Sequence, residues 1–427
     1  MTDVVWLVGL AAAAFVIMVF LIAKPEFVVI FLLFGKPLTA NLIAKYGLPV
    51  PDIAINLALA IPIFLHLIVR RRLVRLFNPI MYVSLLLLCY LWIGLLYVPP
   101  SSVGYGTAKL IYIVAGNLLV GAATLILFKD QSWVKSMLKA MYAAGWVFMI
   151  WGVVELIGKD FSAMTRFSPS YYNPIEYSRV IGVSVLCAIF LGESRSEVPS
   201  GKLGSWGRVV HIMIGLILMA LTGSKGPIIA LVVSILLFHL LKRRRLSGVK
   251  MVKIALICFF TGALLLIALP EPIKERLLFE DKHAEGSVTS RVDLLSIAVG
   301  GFEEKPLFGG GTGSFADFFT GARIYPHNIF AELATENGVV GLLLFGVFLG
   351  YIFWILRRAF AHTRDTDTLS TERILLSAAT AVTVYYLITM QFSFDLQNGS
   401  GIWFGAALAY SLSRMIRTPF QNFQYGR

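Results

Sequence analysis

The sequence predicts an all-α, polytopic integral membrane protein, and three observations predict it. Of its 427 residues, 58% are hydrophobic and only 14% are charged, more apolar surface than one water-soluble core could bury. The apolar residues fall in runs of about 20, the length a helix needs to cross the hydrocarbon layer once. The basic residues gather in short clusters between those runs, which is how a chain fixes its orientation across a bilayer.

Taken in order, the runs lie at 3–23, 26–44, 51–69, 78–98, 106–128, 133–157, 176–192, 208–223, 226–241, 251–270, 328–356, 374–394 and 401–416, giving 12–13 transmembrane helices. Only Lys24-Pro25 separates the first two, and Gly35-Lys36-Pro37 interrupts the second, so the count turns on that pair. Twelve crossings put the N-terminus inside, thirteen outside. The first run has no basic stretch ahead of it and leads into further spans, so it reads as an uncleaved helix and not a signal peptide. Basic clusters at 70–75, 129–135, 195–208, 242–250, 357–364 and 414–417 occupy every second connection and mark the cytoplasmic side. Connections 99–105, 158–175, 222–226, 271–327 and 395–400 then face the other side. The net charge of +13 belongs to these clusters and to anionic lipid, and no basic soluble domain exists to bind nucleic acid. Cys89, Cys187 and Cys258 lie inside apolar runs without metal-type spacing, so they read as small packing residues and not as disulfides.

One far-side connection, 271–327, is much longer than the rest, and a long loop in a compact protein is usually functional. Within it, 291–302 has helical periodicity and predicts a short amphipathic helix on the membrane face. The glycine-rich run 306–315 follows no strand and precedes no Lys-Ser/Thr, so it reads as a tight turn between interfacial helices and not as a phosphate loop. Orientation also sorts the histidines: His66, His211, His239 and His362 fall toward the cytoplasmic side, His283 and His327 on the other.

His327 is the candidate catalytic base. It follows Pro326 at the predicted start of a helix, where the positive end of the helix dipole and nearby Arg323 both favour the neutral imidazole. A neutral imidazole could take a proton from a hydroxyl group. Along a continuous helix Gly338 and Gly341 return to the face of His327 and would let a neighbouring helix pack close beneath it, while Glu336 points away and would orient another helix. Asn328 and Asp395 are further far-side polar groups, and Arg166, Arg179, Lys225, Arg291 and Arg323 are the cations. A cation at a helix mouth needs a partner, either a lipid-borne anion or an internal carboxylate such as Glu155, Glu176 or Asp395. No metal site and no cofactor are expected: far-side histidines and carboxylates lack ligand spacing, and Asp365-Thr366-Asp367 lies in a short cytoplasmic connection.

His327-Asn328, then Gly338 and Gly341, resembles the signature of the O-antigen ligase and polymerase superfamily of bacterial envelopes. The segment Thr222-Gly223-Ser224-Lys225-Gly226-Pro227 resembles the start of that family's shared core. Arg291 followed by Glu304-Lys305-Pro306-Leu307-Phe308-Gly309 resembles the loop sequence that precedes its histidine. The resemblance implies a metal-independent, inverting glycosyl transfer at the periplasmic face of the inner membrane. The donor would be an undecaprenyl-diphosphate-linked glycan and the acceptor lipid A–core, or a growing glycan if the chain is a polymerase. By the same likeness Arg291 and Lys225 would hold the diphosphate, although the family commonly has arginine where this chain has Lys225, and lysine lacks the bidentate fork. It also suggests a division into N-terminal helices 1–221, a core 222–356 and C-terminal helices 357–427. A transporter would show repeated halves and a charged site at mid-membrane; no repeat is visible, and the candidate polar groups collect at one face.

Overall fold

The computed structural model describes residues 16–35, 52–69, 73–160, 164–170, 172–193, 202–242, 248–278, 282–318, 325–363, 370–393 and 395–417. Among them there is no strand, and the protein is an all-α, polytopic membrane protein. In chain order the helices are α1 (Val16–Ala23), α2 (Glu26–Gly35), α3 (Asp52–Val69), α4 (Pro79–Gly94), α5 (Pro100–Leu127), α6 (Gln131–Leu156), α7 (Pro174–Glu193), α8 (Lys202–Leu221) and α9 (Lys225–Lys242). They continue with α10 (Gly248–Ala268), α11 (Glu271–Leu278), α12 (Lys282–Glu304), the single turn α13 (Phe315–Phe318), α14 (Ile329–His362), α15 (Thr371–Phe392) and α16 (Ser400–Arg417).

Seven of these helices are long and apolar enough to cross a membrane, and α1 with α2 makes an eighth candidate if that pair, bent by 111° at Lys24-Pro25, is one span. The other predicted runs fall on the shorter apolar α3 and α4, and on α10 and α16. Starts are set by side chains that accept the first free amides: Asn78 caps α4, Asp130 caps α6 and Ser370 caps α15. α9 packs along α15, α7 lies against both, and α16 closes the core between α5, α14 and α15. Exposed apolar side chains such as Val147 and Ile150 on α6 or Phe260 and Leu264 on α10 face outward, as lipid contact demands.

Several expectations are corrected. The amphipathic helix starts well before 291: α12 spans Lys282–Glu304, burying Leu294 and Ala298 against Phe315 and α14 and leaving Val292, Leu295 and Val299 exposed. His211 lies at the middle of α8, buried against the rings of Tyr142 and Trp146 and 3.2 Å from Ser184 Oγ, because α8 begins earlier than the apolar run. And α14 is not continuous. It breaks at Gly338, whose φ of 63° and ψ of −162° are open to glycine and closed to other residues.

The break is where the glycine-rich run goes. Far from a surface turn, 309–315 is buried and inserts into the gap in α14. Gly310 and Gly311 amides donate to the Thr335 and Glu336 carbonyls at 2.9 and 2.8 Å, and the Val339 amide donates to the Pro306 carbonyl at 2.8 Å. The Tyr90 hydroxyl donates to the Asn337 carbonyl at 2.9 Å. A helix broken inside a bilayer must regain its backbone partners from protein, and this strap supplies them. A Cβ on Gly338 would lie 2.4 Å from the Leu307 carbonyl oxygen, and one on Gly309 2.4 Å from the Asn337 nitrogen. A Cβ on Gly341 would meet the Asn337 side chain at 2.3 Å, so these glycines admit the strap and the kink and do not receive a neighbouring helix.

Candidate functional site

The site gathers at the end of the bundle that carries 325–328. His327 does not begin a helix. Asn328 is the N-cap of α14, its side chain accepting from the Phe330 and Ala331 amides at 3.0 Å each, and His327 precedes it in a bend. His327 has φ 58°, the only non-glycine residue with positive φ among those described, and its ring meets Tyr325 edge-on at 4.7 Å. A non-glycine residue in this region carries about 1–2 kcal/mol of strain, and such strain clusters at active sites.

Cations converge beside it. At the end of α8 the chain reverses through Gly223 (φ 59°), and Lys225 opens α9. Arg166 reaches this turn from the connection between α6 and α7, donating from Nε to the Thr222 carbonyl and from Nη2 to Ser224 Oγ, both at 3.1 Å. That connection is anchored by Glu155, which accepts from the Ser170 amide and hydroxyl at 2.6 and 2.8 Å. Arg276 of α11 lies over the same turn: a Cβ on Gly223 would be 2.9 Å from Arg276 Cδ and 3.7 Å from Arg166 Cγ. Burial, and then the charges of Arg276 and Arg291, push Arg166 down to about 10, so it stays charged at neutral pH while feeling the other guanidinium groups. Lys225 lies within electrostatic reach of the same Arg276 and Arg291.

Two contacts tie this cluster to His327. Gly226, next to Lys225, packs so closely on Phe392 that a Cβ there would be 2.7 Å from the Phe392 Cβ. Asn328, next to His327, donates to the carbonyl of Gln391 at 3.4 Å. The last turn of α15 is therefore the common neighbour of both. α12, which carries Arg291, is pinned to α14 by Thr335 Oγ1 donating to the Ala298 carbonyl at 2.8 Å.

The remaining predicted residues go elsewhere. Arg179 is buried in α7 with its Nη1 3.5 Å from the Asn398 carbonyl. Asp395 is wholly buried, accepting from Tyr105 at 3.2 Å and from Asn398 at 2.7 Å. Glu336 is also buried and accepts from Lys109 of α5 at 2.6 Å. Arg323, Asp365-Thr366-Asp367 and the side chain of His283 lie outside the described residues. Sequence reasoning missed Arg276 and Lys109. Nothing distinguished Arg276 from other loop cations, but a lysine inside an apolar span was a signal in itself.

Residues 210–346, from the middle of α8 through the cation turn, α12, the strap and His327, match the family model described as O-Antigen ligase. This segment, about a third of the chain, is similar to the O-antigen ligase family. No curated protein matches the chain. Proteins of that family are glycosyltransferase-like enzymes, and the matched segment contains Lys225, Arg276, Arg291 and His327 together.

Proposed function

We propose that the protein is a periplasmic-face glycosyltransferase of the bacterial inner membrane that moves a glycan from undecaprenyl diphosphate to a sugar hydroxyl of lipid A–core. The observation that carries this reading is the convergence of Arg166, Lys225, Arg276 and Arg291 around the Gly223 turn, one helix end away from a strained His327. A diphosphate ester suits such a set: guanidinium groups take phosphate oxygens two at a time, Lys225 adds a point charge, and the start of α9 offers free amides.

In the reaction the acceptor hydroxyl gives its proton to the His327 imidazole while its oxygen attacks the anomeric carbon. The bond from that carbon to the diphosphate oxygen breaks, and the electron pair leaves with undecaprenyl diphosphate. Attack opposite the leaving group inverts the anomeric centre. The cations stabilise the charge that develops on the leaving phosphate, the task a divalent ion performs elsewhere. Positioned base catalysis is worth about 10²–10⁴-fold.

The test is transfer in proteoliposomes from a labelled lipid-linked glycan to lipid A–core. His327→Ala is expected to reduce it by about 10²–10⁴-fold with the protein folded. Full residual transfer would remove the base. In cells, deletion is expected to leave lipopolysaccharide without O-antigen; a single repeat unit left attached would instead identify a polymerase.

A further inference from the structure

The glycosyl-transfer reading leaves one buried cluster without a role. Lys109 of α5 lies between Glu332 and Glu336 of α14, pairing with both, and all three are about 1% exposed. The other oxygen of Glu332 accepts the Leu396 amide at 2.9 Å, and the Leu396 carbonyl accepts from Asn117 of α5 at 2.7 Å. Asp395 beside it takes the Tyr105 hydroxyl, and Asn398 meets Arg179. The groups span α5, α7, α14 and the 395–399 turn.

We infer that Lys109 is a positioning residue for the transfer, acting through Glu332 and Glu336 on the short outer piece of α14 that presents His327; this rests on His327 being the base. Residues 329–337 are cut from the rest of α14 by the break at Gly338, so their direction is not inherited from the span. The strap holds their inner end, and Asn328 on Gln391 holds their outer end. Between the two, Lys109 grips successive turns of one face. Apolar packing there would give equal or greater stability but no unique register, whereas an ion cluster in a dry interior fixes direction. Through Leu396, the same cluster sets the outer piece against the turn that meets Arg179.

Transfer kinetics separate positioning from mere charge balance. Glu332→Gln keeps an acceptor for the Leu396 amide and lowers the buried negative charge, so it is expected to fold. Its kcat is expected to fall at least tenfold, with the donor KM within about twofold, since a displacement near 1 Å costs about 10²-fold. The neutral variant Lys109→Met/Glu332→Gln/Glu336→Gln removes the charges together and is expected to show a still lower kcat at wild-type thermal stability. Wild-type kcat in either variant would overturn the inference. If His327→Ala abolishes transfer while these variants keep full kcat, only the role of Lys109 falls; if His327→Ala keeps full transfer, the base reading falls with it.

Discussion

Two charged regions lie at the same end of this bundle and are built in opposite ways. Arg166, Lys225, Arg276 and Arg291 come from four separate segments, are all half-exposed and sit close enough for the other guanidinium charges to depress Arg166. Lys109, Glu332, Glu336 and Asp395 are fully buried, mix signs and are laced by hydrogen bonds to the 395–399 turn. The first arrangement sets like charges near one another, which on the proposed reading favours an incoming diphosphate. The second compensates itself and holds backbone in place. On the proposed reading, their contrast separates charge kept for a ligand from charge kept for geometry.

That contrast breaks most sharply at Lys109. Lys109→Met leaves two carboxylates buried without their cation, and is expected to destabilise the solubilised protein by about 3–5 kcal/mol in thermal or denaturant unfolding. In the cation cluster the stability change is expected to come from adding an anion and not from removing a charge. Inorganic pyrophosphate is expected to raise the thermal stability, by about 2.7 kcal/mol at a hundredfold excess over its Kd, and Arg276→Ala should remove most of that gain. Arg276→Ala itself is expected to leave the ligand-free stability within about 0.5 kcal/mol while raising the donor KM about 10-fold or more. The smallest effect concerns the histidine backbone. His327→Gly is expected to be about 1 kcal/mol more stable than His327→Ala in unfolding, because glycine adopts φ 58° without strain, while both lose transfer.

The spans were legible because hydropathy and length alone mark them. The break in α14 was not. Its apolar period runs straight through Gly338, and glycine in a membrane helix is more often a packing residue, so only the strap that fills the gap reveals the kink. The strap itself was visible as a glycine run, but its depth depends on Gly94 and Gly106 facing Thr312 from two distant helices, which spacing along the chain does not encode. His327 and its neighbours stood out because polar residues at a helix mouth are rare in so apolar a chain. Lys109 carries a signal of its own: one lysine in the run 106–128 and two glutamates four apart at the start of α14 form the pattern that joins them.

The most direct measurement is a density map of the protein in lipid with a non-transferable undecaprenyl-diphosphate glycan analogue. Both phosphates are expected between the Gly223 turn and α12, within hydrogen-bonding reach of Arg166, Lys225, Arg276 and Arg291, with the first sugar facing His327. Phosphates bound away from those side chains, or a sugar on the far side of α14 from His327, would contradict this placement.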